Sequence, residues 1–261
     1  MIGYFRSVLF SPDDLTLVKN GPEERRAFLN IAISQFDPSY IKYYSAYKNA
    51  MEQKNTLLKS QKNGLLVEEE EINSWSRSMA EYASYIYLLR RDYIEKIKSY
   101  AKVFMSEISL EKEIIEIIYK SDVSEENLSR EEIRDEYLRV MKDGYIRECG
   151  AGISIFGIHH DDMEIMINGK SARLFSSQGQ KRSIVLALKL AEGEVIKEEY
   201  GEYPIYLLDD VLSELDGVRR EYFLSKKGEK QIIITSCDDG DDISFADRII
   251  RVENGRFLIE K

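Results

Sequence analysis

The chain is poor in several things. Only four prolines and no low-complexity stretch occur in 261 residues, which argues against long disordered tails. Two cysteines, Cys149 and Cys237, lie far apart with no C-x-x-C spacing. That is too few for a disulfide scaffold and fits a reducing cytosol. No apolar run approaches the ~18 residues of a membrane span. The start, MIGYFRSVLFSPDD, has neither the basic region nor the long apolar core of a signal peptide. Basic charge is scarce too: 37 Lys and Arg against 47 Asp and Glu give a formal net charge of -10. Any contact with nucleic acid must then rest on local patches, not on the whole surface. These shortages together describe a cytoplasmic, non-membrane protein.

What is present is enough for a core: 43% of residues are hydrophobic and 32% charged, in a length that holds one large domain or two ordinary ones. Residues 1–21 give a short apolar segment, Ser7 to Phe10, then a turn-rich stretch. From Glu23 the pattern turns helical, with Tyr40, Tyr44, Tyr47, Met51 and Leu58 on one stripe. After Lys62-Asn63-Gly64 a second stripe runs from Ile72 through Trp75, Met79, Tyr82, Ile86, Leu89, Tyr93, Ile97 and Tyr100 to Phe104. Its alternating three and four spacing is that of a coiled-coil seam, so residues 22–110 read as an antiparallel helical hairpin. A base-stacking platform is the other use of such an aromatic stripe.

Residues 111–261 alternate strand and helix candidates. They are strands in EKEIIEIIYKSDV, GISIFGI, MEIMING, PIYLLD, QIIITS and DRIIRVENGRFLIE, and helices after Ser129, over about 180–199 and over 218–226. Ser129 with Glu132 makes a capping box. Alternation of this kind predicts an α/β layer interrupted by the helical arm.

Four stretches carry possible chemistry. The turn Ser176-Ser177-Gln178-Gly179-Gln180 feeds an apolar helix, and its exposed N–H groups suit phosphate, although Ser and Gly also cap helices without any ligand. The strand PIYLLDD ends in Asp209 and Asp210. Those acids either hold a cation or close the strand with a solvated turn. At the end of an α/β strand they form a Walker B arrangement, with the first acid on Mg²⁺ and the second polarising water. SELD, Ser213 to Asp216, follows at once, and QIIITSCDD ends a further strand in Thr235 and Ser236, hydroxyls able to reach a γ-phosphate. Gly169-Lys170-Ser171 is a decoy for a phosphate loop: Glu164 stands five residues before Gly169, and the segment predicts a hairpin turn.

In this order SSQGQ, IYLLDD and SELD resemble an ABC-type signature, Walker B strand and D-loop. With LFSPDDLTLVKNGPEERRAFLN and GIHHDDMEIMINGKSARLFSSQGQKR they make the chain similar to the RecF family of ABC/SMC-type ATPase heads. The resemblance implies a partial P-loop ATPase head with an inserted hairpin arm, using ATP and Mg²⁺. Asp209 would support Mg²⁺ and Asp210 would be the catalytic carboxylate. Ser177, Gly179 and Gln180 would act across an ATP-dependent homodimer, Asp216 would be the D-loop acid, and Thr235 or Ser236 would stand at the switch position. Phe10 to Asp14 would lie near the Q-loop. Implied partners are double-stranded DNA at gaps and RecR in recombinase loading. Lys19, Arg25, Arg26, Lys226, Lys227 and Lys230 are candidate phosphate contacts on charge grounds.

Two departures stand out. The family's Gly-Pro-His-Arg-Asp-Asp reads Gly157-Ile158-His159-His160-Asp161-Asp162 here, which removes the Arg and imitates a metal cluster. Adjacent side chains in such a run point in different directions. No G-x-x-x-x-G-K-[ST] occurs, so the expectation is a fragmentary chain that by itself binds ATP very weakly and does not turn it over. Other readings are a non-catalytic interaction module or another SMC-like head such as RecN.

Overall fold

The computed structural model describes residues 5–123, 128–211, 215–236, 245–253 and 255–259. Strand β1 (Ser7–Phe10) leads through a 3-10 turn (Pro12–Leu15) into the short α1 (Thr16–Lys19), then α2 (Pro22–Phe36), α3 (Pro38–Lys62) and the long α4 (Glu69–Ser109). Next come β2 (Ile115–Lys120), α5 (Arg130–Asp143), α6 (Tyr145–Ala151), β3 (Asp162–Ile167), β4 (Lys170–Ser171) and α7 (Ala172–Phe175). The rest is α8 (Gln178–Tyr200), β5 (Ile205–Asp209), α9 (Gly217–Ser225), β6 (Ile232–Thr235), β7 (Ile250–Glu253) and β8 (Arg256–Ile259).

Local chemistry sets most of these boundaries. Asp37 caps α3 by accepting from the Ser39 amide at 2.8 Å, with Pro38 in the first turn. The Ser129–Glu132 capping box opens α5 as its sequence implies. Asn168 and Gly169, at φ 48° and 71°, form the two-residue turn joining β3 to β4, so Gly-Lys-Ser sits on a hairpin.

The stripes of α3 and α4 pack as an antiparallel pair. Tyr40, Tyr47 and Leu58 of α3 and Ile72, Met79 and Ile86 of α4 are buried, and Tyr43 stacks on Tyr85 at 4.1 Å across the pair, which is the seam use of the aromatics. The lower half of α4 also lies along α8, where Lys96 pairs with Glu199 at 3.0 Å and the Tyr100 hydroxyl donates to Glu198 at 3.1 Å. The hairpin is therefore built onto the body rather than projecting freely along its whole length.

Two sheets, not one continuous layer, make up the β structure that positions the site. In the first, β1, β5 and β6 are parallel, in the order β1-β5-β6. One face packs Val8, Phe10, Tyr206 and Leu208 against α8 and α9, with Phe10 edge-on to Phe223 at 5.5 Å. Gly193 of α8 permits this approach, since a Cβ there would lie 1.7 Å from the Tyr206 hydroxyl. The opposite face carries a row of Leu9, Leu207 and Ile233, with Leu9 and Ile233 about half exposed. The second sheet is antiparallel, β2-β3-β4.

The strand expected over GISIFGI does not form. Residues 152–160 are loop, held by side chains: Asn55 Oδ1 accepts from Ser154 N at 2.6 Å, Glu148 Oε1 from Ile155 N at 3.0 Å and Asp122 Oδ2 from Gly157 N at 2.6 Å. Gly157 has φ +129° and abuts the Tyr47 hydroxyl, a place no larger residue fits. No described helix is long and apolar enough to cross a membrane.

Candidate functional site

Parallel pairing puts the C-terminal ends of β1, β5 and β6 at one edge of the first sheet. In register, Phe10 stands opposite Leu208, and Asp209 opposite Thr235. Strand alternation buries Leu208 and turns Asp209 to the exposed face. There the Thr235 hydroxyl donates to Asp209 Oδ1 at 2.8 Å. Asp210 follows in the left-handed region, φ 54°, which Asp tolerates better than most residues. Its amide donates to the Thr235 carbonyl and to Thr235 Oγ1, each at 3.2 Å. The turn Ser11–Asp14 closes β1 at the same edge, and Ser11 lines an apolar cleft with Phe10, Val211 and Leu215.

A second group forms where two helices begin. Ser177 caps α8: its Oγ accepts from Gln180 N at 3.2 Å, and Gln180 Oε1 accepts from Ser177 N at 2.8 Å. Gln180 Nε2 reaches Glu113 Oε1 at 2.8 Å. Asp216 caps α9, accepting from Arg219 N at 3.0 Å, and pairs with the Arg219 guanidinium. Arg219 in turn donates through Nε to Ser183 Oγ of α8 at 2.8 Å and crowds Gly179, where a Cβ would lie 3.3 Å from Nη2. The Ser177–Gln180 turn with the start of α8, and Asp216 at the start of α9, are thus joined through Arg219, a residue the motifs alone did not single out. Ser213, Glu214 and Cys237 lie outside the described residues.

The His-His-Asp-Asp run disperses. His159 Nδ1 pairs with the Tyr47 hydroxyl at 2.7 Å and Nε2 with the Ser154 carbonyl at 3.3 Å; burial, then neighbouring His160, pushes its pKa down to about 4. Asp161 is buried against Arg90 at 3.0 Å and the Tyr119 hydroxyl at 2.5 Å. Asp162 takes both Nε and Nη2 of Arg25, at 2.6 and 2.9 Å. Among the described residues no group of three or more His, Cys, Asp and Glu side chains is placed to hold a metal ion.

Arg25 is a correction to the list of basic contacts. It is 5% exposed, and besides Asp162 it donates to the Leu17 and Asn20 carbonyls, so four of its five N–H donors are used inside the fold. Arg26 donates to the Asp161 carbonyl at 2.9 Å. Lys226 pairs with Glu107 at 2.7 Å, Lys227 with Asp247 at 2.6 Å, and Lys230 lies 3.8 Å from Glu194 and over the Tyr203 ring. Lys19 is exposed at the end of α1.

Beneath the edge lies a buried charge cluster that sequence reading did not find. Lys189 of α8 pairs with Asp14 at 2.9 Å. Glu192, one turn on and 4% exposed, has an Oε2 that hydrogen-bonds to no described residue, and burial pushes its pKa up to about 7 against the pull of Lys189. The hint in the sequence is a Lys and a Glu at i, i+3 inside the otherwise apolar run from Ile184 to Gly193.

No protein-family profile matches the chain. Among curated proteins, the DNA replication and repair protein RecF of Clostridioides difficile is 37% identical over 262 residues, covering 98% of this chain and 69% of its own length. The RecF of Natranaerobius thermophilus is 39% identical, with 95% and 67% covered. A solved structure of the recombination mediator RecF with ATPrS superimposes at a TM-score of 0.89 and 34% identity, covering all of this chain and 69% of that one. The RecF–ATP structure follows at 0.87 and 34%. The fold is accordingly that of the RecF structures. Since these matches extend over nearly the whole chain and two thirds or more of the curated relatives, the chain belongs to the RecF family of DNA replication and repair proteins.

Proposed function

We propose that the chain supplies the acid-bearing strand and signature parts of an ATP-dependent DNA-repair ATPase, working as a homodimer. The strand-end cluster carries this reading. Mg²⁺ is usually held by one or two carboxylates, with water and phosphate completing the shell, and Asp209 and Asp210 at the strand end fit that donor set. ATP, the ligand of the RecF–ATP structure, would bring the phosphoryl group and Mg²⁺ would neutralise its charge. Asp209 would hold the cation, and Asp210 would orient water and take its proton. Ser177, although its oxygen is engaged in capping, keeps a hydroxyl proton to donate, and with Gly179 it offers the positive end of α8 to phosphate on the other subunit. Gln180 fixes that turn, Asp216 fixes the D-loop end and Ser236 stands at the switch position. The 261 residues contain no G-x-x-x-x-G-K-[ST], so the parts they offer do not include a Lys-bearing phosphate loop.

The finer assignments belong to the same proposal. Residues 1–21 and 111–261 act as head and 22–110 as arm. Double-stranded DNA at gaps and RecR are the partners. Lys19 is the first choice for phosphate contact, with Arg26, Lys226, Lys227 and Lys230 next. The test is sedimentation of a chimera in which the family's phosphate-loop segment, taken from the Clostridioides difficile relative, precedes this chain. ATP should drive dimerisation, Ser177→Arg should abolish it and Asp210→Asn should trap the dimer. ATP-independent behaviour of all three proteins would reject the reading in favour of an interaction module.

A further inference from the structure

The geometry points to Thr235 as a positioning residue that fixes both strand-end acids rather than as a phosphate contact. The inference rests on the ATPase reading for its meaning but on hydrogen-bond accounting for its content. A threonine hydroxyl has one proton and two lone pairs. Here the Asp210 amide donates into Thr235 Oγ1 at 3.2 Å, and the single proton goes to Asp209 Oδ1 at 2.8 Å. The Leu208 carbonyl, at 3.5 Å, is a poor alternative acceptor. With its proton spent, Oγ1 has only lone pairs left to present, and those repel a phosphate oxygen.

The bonds run in one direction, from the Asp210 amide through the hydroxyl to the Asp209 carboxylate. The arrangement turns one Asp209 oxygen to Thr235 and leaves the other for a cation. The same residue accepts the Asp210 amide twice, through its carbonyl and its hydroxyl, and so holds Asp210 at φ 54°. A β-branched side chain suits this task because χ1 is stiff and the register places Thr235 directly opposite Asp209. The pairing spans 26 positions and makes the end of β6 a ruler for the end of β5.

The test compares Thr235→Val, which keeps the shape and removes the hydroxyl, with Thr235→Ser, which keeps the hydroxyl. Thr235 is exposed, so both variants should melt within about 2 °C of the parent, as surface substitutions do. In aspartate-labelled protein, side-chain couplings should report one χ1 rotamer for Asp209 in the parent and in Thr235→Ser. Thr235→Val should show rotamer averaging and amide exchange at Asp210 severalfold faster. A single Asp209 rotamer in Thr235→Val, or averaging in Thr235→Ser, overturns the assignment. Broadening of the Asp209 and Asp210 resonances by Mn²⁺, followed in the same samples, judges the cation site separately. Its absence in the parent would count against the metal reading while the rotamers still decide the role of Thr235.

Discussion

Glu192 offers the sharpest test of the packing between α4 and α8. Its side chain is enclosed by α8, by the Asp14 turn through Lys189, and by α4 through Tyr93, whose hydroxyl also bonds to no described residue. Burial raises the carboxyl from 4.5 to about 7. A folded-state value above the unfolded one means that the folded protein holds its proton more tightly. The associated stability is then complete below about pH 4.5 and is lost as pH rises through about 7. The difference of roughly 2.5 pH units, at 1.36 kcal/mol each, sets the loss at up to about 3 kcal/mol. Replacing Glu192 by Gln keeps the shape and removes the titration. At pH 8 the variant should gain up to about 3 kcal/mol, or roughly 6–12 °C in melting temperature, and at pH 4.5 it should match the parent. Calorimetric melts of both proteins at intervals from pH 4.5 to 8 supply the comparison. Taking differences between the two cancels every other titrating group. A gap that does not widen with pH, or a variant less stable at pH 8, would refute the burial argument.

Two further outcomes follow from the way α3 and α4 hold the 157–161 loop. Arg90 is fully buried and donates to Asp161, the Tyr40 hydroxyl, Asn30 and the Ile158 carbonyl, so Arg90→Ala strands a buried carboxylate and should cost about 3–5 kcal/mol in denaturant unfolding. The double change Arg90→Met with Asp161→Leu should lose less, because no charge is left unpaired. His159 works in the opposite pH direction to Glu192. Its folded value of about 4 lies below the ordinary 6.5, so stability is full above about 6.5 and is lost as pH falls toward 4. The loss is up to about 3 kcal/mol, and His159→Gln should flatten the acid limb of the melting profile.

How far the sequence could be read depends on how far away each residue's partner lies. The capping box at Ser129, the Asn168-Gly169 turn and the three and four spacing of α4 are local, and each appears in the structure where the pattern puts it. The strand-end acids were legible for the same reason: an aliphatic run has to stop somewhere, and the residues that stop it fall at the sheet edge. GISIFGI misleads because its amides are satisfied by Asn55, Glu148 and Asp122, and alternation alone cannot tell a strand partner from distant side chains. Arg25 misleads likewise, since a basic residue reads as solvated until Asp162 arrives 137 positions later. The site shows the same division. Asp209 and Asp210 announce themselves in five residues of strand, whereas their geometry is set by Thr235, 26 positions on from Asp209, and the start of α8 is tied to Asp216 by an arginine that no motif marks. Residue types at a site follow from local pattern, but the orientation that would make them chemically useful comes from partners brought together only by the fold.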